Sequence, residues 1–268
     1  MIKTIKKYLR IYWLYFRQYW KSRLVYKTDF LLGFIGQAIS LGTSLAFLTL
    51  LFTQVDSIQG WTYMEMLFLA GLGGMIMNLH HIFLFNIFHL GQDYIVKGRF
   101  DRFLVRPLDP LFQVYADGVS DNNLSKLIVN IALIIYTSQH IAVQLFTPIK
   151  AVYGIFAIIS GILVFASAYL MFATTAFWTG RSESAIWLIF QMSDFRKYPF
   201  GIFGGAVQII LVTFIPIAFA TFFPASFFLE KSGWKIWQFT ALVVGPIFYL
   251  LAYQFWKFGL SDYSSTGS

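Results

Sequence analysis

Ala151-Val-Tyr-Gly-Ile-Phe-Ala-Ile-Ile-Ser-Gly-Ile-Leu-Val-Phe-Ala-Ser-Ala-Tyr-Leu-Met-Phe-Ala-Thr-Thr-Ala-Phe-Trp-Thr-Gly180 contains no Asp, Glu, Lys or Arg in 30 residues. An α-helix rises about 1.5 Å per residue, so about 20 apolar residues cross a hydrocarbon core of about 30 Å. The stretch is long enough to span a bilayer with length to spare. Five more charge-free windows of 21 residues or more flank it: Phe30–Val55, Met66–Gln92, Leu127–Ile149, Tyr198–Leu229 and Ile236–Trp256. Ser184–Ser193, with 10 residues, is too short to cross. The window Tyr198–Leu229 holds Pro199, Pro216 and Pro224 in 32 residues. It reads as one helix with a break and a returning outer segment, because two full spans need more length. The expected fold is an all-α integral membrane protein with six transmembrane helices.

Composition agrees. Hydrophobic residues make up 58% of the 268 and charged residues 12%, where a soluble domain carries roughly 25% charged. Too little polar surface remains to cover a globule, so a soluble protein is excluded. Aromatics reach 20%, which rules out disorder and suits interfaces lined by Trp and Tyr. There is no cysteine, so disulfides, iron–sulfur clusters, thiolate zinc sites and cysteine nucleophiles are all excluded.

Charge sets the orientation. With the N-terminus inside, the inner segments Met1–Asp29, Asp93–Asp109, Arg181–Lys197 and the tail from Lys257 hold 16 of the 20 Lys and Arg. The outer loops hold three, Lys150, Lys231 and Lys235, and Lys126 stands at the start of the third span. The positive-inside rule then puts both termini in the cytoplasm. Topology explains the net charge of +8, and nucleic acid is not needed as a partner. No cleavable leader is expected, since Ile11–Phe16 is too short an apolar run and Arg17 follows it.

At 100° per residue, Ile2, Ile5, Leu9, Trp13, Phe16 and Trp20 share one face of Met1–Arg23. Tyr8, Tyr12, Tyr15 and Tyr19 flank that face, and Lys3, Lys6, Arg10, Arg17 and Lys21 lie on its other side. This pattern suits an amphipathic helix lying in the inner interface, with Trp13, Phe16 and Trp20 as its lipid-facing residues. The organisation expected is an interfacial connecting helix over 1–28, a six-helix membrane domain over 29–260 with an inner loop at 91–112, and a cytoplasmic tail over 261–268.

The inner loop mixes charge with apolar side chains. Its basic residues are Lys97, Arg99, Arg102 and Arg106; Phe100, Phe103 and Leu104 are its apolar ones, and Pro107 and Pro110 stop any helix. A short amphipathic helix of this kind can dock in a groove on a soluble partner, with Phe100, Phe103 and Leu104 as anchors. Further on, Asp117, Asp121 and Lys126 crowd the start of the third span. They read either as its wetted first turns or as a vestibule or gate. Span two carries Asn78, His80, His81, Asn86 and His89. No two of these histidines stand four apart, so a metal site is not expected, and hydrogen bonding between helices is the simpler role. Gly201-x-x-x-Gly205 and the cluster Gly71, Gly73 and Gly74 suggest close helix packing. No P-loop occurs, and the dipeptide Gly-Lys is absent. No nucleophile–base constellation and no H-E-x-x-H run is present.

Several short runs resemble a known family. Phe30-Leu-Leu-Gly33 opens span one, and Gly60-Trp-Thr62 with Glu65 and Leu67-Phe68 opens span two. Lys97-Gly98-Arg99-Phe100-Asp101 runs into Leu104-Val-Arg106-Pro107-Leu108 and Pro110-Leu111. Phe177-Trp178 and Arg181-Ser182 precede Tyr198-Pro199. Ile215-Pro-Ile-Ala218 leads to Phe223-Pro-Ala225, and the chain ends Tyr263-Ser-Ser-Thr-Gly-Ser268. Taken in order, these resemble ATP-binding-cassette (ABC) permeases of the second export type, in the bacterial branch of stand-alone six-span subunits. The G-x-x-D-x-x-L-x-R-P run from Gly98 to Pro107 is the most specific part.

The resemblance implies an exporter permease in the bacterial inner membrane with no ATPase site of its own. ATP and Mg would sit on a dimer of separate ABC ATPase subunits. A second permease, identical or different, would complete the transporter, and the cargo is an unidentified lipid, glycan, peptide or drug-like compound. It also implies that Lys97, Gly98, Arg99, Phe100, Asp101, Arg102, Phe103, Leu104, Arg106 and Pro107 form a coupling loop. Two other classes compete. One is an ion-coupled secondary transporter using Asp117, Asp121 or the histidines of span two, which lacks a carboxylate near the midplane and an inverted repeat. The other is an intramembrane enzyme acting on lipid, against which the spacing of the histidines and aspartates argues.

Overall fold

The computed structural model describes residues 2–23, 27–118 and 122–264, and among them every regular element is helical. α1 (Ile2–Arg23) precedes α2 (Lys27–Phe52) and α3 (Tyr63–Leu84). A 3₁₀ turn (Phe85–His89) and a π-helical turn (Leu90–Ile95) carry α3 onward to α4 (Asp101–Leu104) and α5 (Pro110–Ala116). Next come α6 (Asn122–Ser138), α7 (Pro148–Thr174), α8 (Ala176–Thr179) and α9 (Glu183–Met192). After two 3₁₀ turns, α10 (Gly205–Thr213), α11 (Ile217–Ala220) and α12 (Phe222–Phe228) form a broken path, and α13 (Lys235–Ser261) follows.

Among the described residues, three stretches are long and apolar enough to cross a membrane: Tyr63–Ile95, Pro148–Thr179 and Lys235–Ser261. The pair Gly205–Thr213 and Ile217–Phe228, bent by 66°, makes a fourth if it counts as one span. The bend falls at Pro216, whose ring cannot continue the helix. Gly42–Phe52, the part of the 26-residue α2 described throughout, and Asn123–Ser138 are shorter apolar stretches. The window Leu127–Ile149 is therefore not one continuous helix. α6 ends at Ser138, and Thr147 caps α7 by accepting from the Lys150 amide at 3.3 Å, with Pro148 in its first turn. Proline pre-sets that start and drives the preceding residue out of helical conformation.

α3 is central, with 72% of its apolar window buried, whereas α13 buries 28% of its own and is peripheral. The outward faces are oily: Ile155, Phe156 and Ile159 of α7 and Val243, Leu250 and Leu251 of α13 are all exposed. Such a surface is stable only against lipid. At the start of α3, Glu65 accepts from the Thr62 amide at 2.9 Å, completing a capping box, and pairs with Lys231 at 2.8 Å. Lys231 also donates to the Gly60 carbonyl at 2.9 Å. The Gly60–Glu65 run thus pins the loop before α13 to the start of α3.

Lipid gives helices no hydrophobic reason to associate, so close backbone approach and interhelical hydrogen bonds hold them together. α7 lies along α13 and α3 along α6, the two largest pairings. In the first, the Ser160 hydroxyl donates to the Ala241 carbonyl at 2.5 Å and accepts from the Gly245 amide at 3.0 Å. It enters the α13 ladder beside Pro246, where the ladder is interrupted. A Cβ at Gly245 would stand 2.0 Å from the Ser160 carbonyl oxygen. In the second pairing, a Cβ at Gly74 would meet the Asn130 amide at 2.2 Å. The Gly71–Gly74 cluster therefore packs helices as expected. Gly201 and Gly205 do not pack helices within the chain: around Gly205 the space is open, and Gly201 has only Gln59 near it, at 3.4 Å.

Gly245→Ala should cost about 1–3 kcal/mol or more, because the clash is with backbone that no rotamer relieves. Gly205→Ala should be neutral or stabilise by up to about 1 kcal/mol through lost unfolded-state entropy. Thermal unfolding of the purified chain in detergent checks both, and equal shifts for the two variants would contradict this packing.

Candidate coupling segment and intramembrane cavity

The chain leaving α3 stays pressed against the other inner segments. A Cβ at Gly91 would meet the Ser182 amide nitrogen at 3.0 Å, and the Gln92 amide donates to Glu183 Oε1 at 2.6 Å. Gly98 then turns the chain at φ +65°, a conformation that favours glycine. The Phe100 amide donates back to the Tyr94 carbonyl at 2.9 Å, and α4 begins.

Both phenylalanines of α4 and its cap point inward. Phe100 is fully buried, edge-on to Tyr263 at 5.0 Å, Phe177 at 5.4 Å and Trp256 at 6.1 Å. Phe103 is buried beside Tyr94, with the Arg102 guanidinium 4.7 Å from its ring centre. Gln113 donates from one amide to the carbonyls of Phe103 at 2.9 Å and Leu108 at 3.0 Å. The expectation that Phe100 and Phe103 anchor the loop in a partner's groove is therefore corrected. They fill an aromatic cluster built with α8, α13 and the residue Tyr263, and a partner cannot reach them. The outer face of the segment presents Val96, Leu104 and Val105, the last 83% exposed, among Lys97, Arg99, Arg102, Arg106 and Pro107.

Polar bonds tie this segment to elements far away in sequence. Asp101 accepts from the Tyr263 hydroxyl at 2.9 Å. Burial first, and then this carboxylate, push the Tyr263 phenol up to about 12, so the hydroxyl stays a donor across the physiological range. Asp109 caps α5 by accepting from the Phe112 amide and also accepts from the Tyr253 hydroxyl, each at 2.9 Å. Asp117 pairs with Arg102 and accepts from Tyr94 at 2.8 Å. Near the end of α13, Trp178 donates to Asp262 at 2.9 Å.

α1 docks on this unit by its tyrosine flank. Tyr8 accepts from the Asp109 amide at 3.3 Å and sits edge-on to Phe112 at 4.6 Å. Tyr12 donates to the Phe83 carbonyl at 3.1 Å, and Tyr15 accepts from Arg106 at 3.3 Å. Trp13 is left 61% exposed on the apolar stripe, while Phe16 is half-buried and stacks on Phe83 at 6.5 Å. The side chain of Trp20 lies outside the described residues.

The three polar residues grouped at the start of the third span do not stay together. Asp117 belongs to the Arg102 pair, Asp121 lies outside the described residues, and Lys126 faces a cavity of about 590 Å³. α2, α3, α6 and the segment Phe190–Tyr198 line this cavity. Asp194 and Arg196, which sequence reasoning did not single out, sit on its wall, bonded at 2.7 Å. Burial opposes ionisation of Asp194, but Arg196 and Lys197 outweigh it and hold its carboxyl below the usual range. The only sign of them in sequence is the basic and acidic cluster that follows the short apolar run at Ser184–Ser193.

Of the span-two histidines, His81 lines the cavity and bonds the Tyr169 hydroxyl at 3.3 Å, an interhelical contact of the expected kind. His80 is buried with neither ring nitrogen bonded. Asn86 donates to Tyr94 at 2.8 Å, and His89 lies 3.1 Å from Asp93. Among the described residues, no group of three His, Asp or Glu side chains is placed to hold a metal.

The architecture defines an all-helical membrane protein in which the segment after α3, α1, α8 and the end of α13 are knitted together. A family model described as ABC-2 family transporter protein matches residues 38–267, most of the chain. The chain belongs to the ABC-2 transporter family as a membrane component. Comparison with curated proteins and with solved structures found no match.

Because Phe100 is core, Phe100→Ala should destabilise the chain by about 3–5 kcal/mol. The defect should appear as a lower melting temperature of the isolated chain. A normal melting temperature with a selective loss of partner binding would restore Phe100 to the surface.

Proposed function

We propose that this chain is the permease of an ATP-driven exporter in a bacterial inner membrane, powered by a separate dimer of ABC ATPase subunits that carry the ATP and Mg. The segment Lys97–Pro107 is its transmission element. One observation carries this reading: the inner face of the segment is locked into α8, α13 and α1, while its outer face holds an exposed Leu104–Val105 pair ringed by Arg99, Arg102 and Arg106. An apolar pair with a charged rim is the anatomy of a docking spot, and its buried anchors would carry a push into the bundle. A rim rich in arginine favours an acidic groove on the ATPase.

In this reading the six crossings are α2, α3, α6, α7, the bent path α10–α12, and α13. α1 lies in the inner interface, and both termini are cytoplasmic. The 16-to-3 distribution of Lys and Arg supports the orientation. A second permease, identical or homologous, completes the pore. The secondary-transporter reading loses support, since Asp117 is engaged by Arg102 and, among the described residues, no carboxylate bonds the buried His80 or His81.

Leu104→Asp with Val105→Asp should abolish co-purification of the ATPase, or uncouple its hydrolysis from cargo, with the melting temperature of the chain unchanged. Full binding and coupling in that variant would remove the segment from the transmission path. For topology, cysteines at Gln59 and Ser232 should react with an impermeant maleimide in intact cells, and one at Lys97 should not. External labelling at Lys97 reverses the orientation.

A further inference from the structure

The cavity of about 590 Å³ is polar at one end and apolar at the other. Lys126 of α6 and Asp194, Arg196 and Lys197 of the turn after α9 supply the charges. Asp194 is already bonded to Arg196 at 2.7 Å and to Lys197 at 3.1 Å, so among the described lining residues three cations face a single, shared carboxylate. Lys126 has no carboxylate partner among the described residues. The apolar end is made by Leu45 and Leu48 of α2, Ala70 of α3, and Val129 and Leu133 of α6.

The order of the two ends is fixed by the helices. Gly74 of α3 faces Asn130 of α6 and Gly71 faces Ile134, so the two helices run antiparallel. Lys126 therefore stands in the second turn of α6, and Val129 and Leu133 line the cavity about one and two turns further along. Cations on a partly dehydrated wall lose hydration and need an anion to replace it. A planar guanidinium and two ammonium groups suit the several oxygens of a phosphate. The volume falls within the range of about 300–1,000 Å³ typical of ligand pockets.

We propose that this cavity binds an amphiphile with a phosphate-type anionic headgroup, which Lys126, Arg196 and Lys197 hold while its hydrocarbon chain lies against Leu48, Val129 and Leu133. That such a ligand is cargo rests on the exporter reading; that it binds does not.

The test is scintillation-proximity binding of radiolabelled dodecyl phosphate to the full chain in dodecyl maltoside, without any ATPase. Saturable binding is expected, displaced by unlabelled dodecyl phosphate but not by inorganic phosphate at equal concentration. Lys126→Gln should weaken it at least about tenfold, the loss of one charge-assisted hydrogen bond. Lys126→Arg should retain it. Val129→Trp, which fills the apolar end, should weaken it with Lys126 intact.

Equal displacement by inorganic phosphate would reduce the site to a free-anion site. Equal displacement by dodecyltrimethylammonium would remove the selection by charge. Absent saturable binding, or binding indifferent to both Lys126→Gln and Val129→Trp, overturns the proposal. These outcomes leave the ATPase-docking result at Leu104 and Val105 untouched. Conversely, a failed docking result with intact dodecyl phosphate binding sinks the exporter reading and keeps the site.

Discussion

Backbone amides and carbonyls inside a bilayer have no water to bond, and that constraint governs how this chain departs from straight helices. The sharpest departure is the 66° bend between α10 and α11. Pro216 has no amide hydrogen, and the groups it frees would be costly in lipid. The chain places the broken part inside protein. From Ile217 to Ser226 every residue is buried, and the Phe219 amide bonds back to the Pro216 carbonyl at 3.0 Å. α13 shows the same logic on a smaller scale, where the hydroxyl of Ser160 serves backbone groups of Ala241 and Gly245 beside Pro246. Irregular backbone is buried, and the regular outer faces of α7 and α13 are left to the lipid.

A second consequence concerns rigidity. Where lipid gives way to water at the ends of membrane helices, polar side chains can bond across elements at little desolvation cost. Asp101, Asp109 and Asp117 each accept from a tyrosine hydroxyl: Tyr263 and Tyr253 come from the end of α13 and the residues just after it, and Tyr94 from the turn after α3. A phenol is well suited to this work, since its ring packs with neighbouring Phe and Trp while its hydroxyl reaches a carboxylate. These bonds and ring contacts tie the segment after α3 to α1, the α8–α9 connection and the end of α13.

Much of this was legible in residue order. Charge-free length located α3, α7 and α13, and the three prolines of Tyr198–Leu229 announced the break. Helical periodicity drew α1 with its tyrosine flank. The failures share one physical cause: periodicity gives the faces of a segment but not which neighbour each face meets. Phe100 and Phe103 were recognised as apolar on an amphipathic segment, yet nothing local says whether that side looks toward a partner or toward Trp256, some 150 residues on. The Gly201–Gly205 motif was visible and packs nothing within the chain, whereas Gly245 stands in no motif and is indispensable to α7 because its neighbour is a carbonyl oxygen.

The cavity was illegible for the same reason, since four separated segments contribute to it. It also shows how one charge pattern meets two demands. Arg196 and Lys197 belong to a segment expected on the inner side, and a topogenic charge needs only to remain on that side of the membrane. Here Lys126 and the Arg196–Lys197 pair are brought onto one wall. Orientation alone is equally served by cations spread over solvated loops, where hydration costs nothing. Gathering them on a partly dehydrated wall costs free energy unless an anion offsets it, and the one carboxylate among the described lining residues, Asp194, is divided between two of the three. The imbalance gives the wall a preference of sign, and the apolar end beside it gives a preference for chains over small ions.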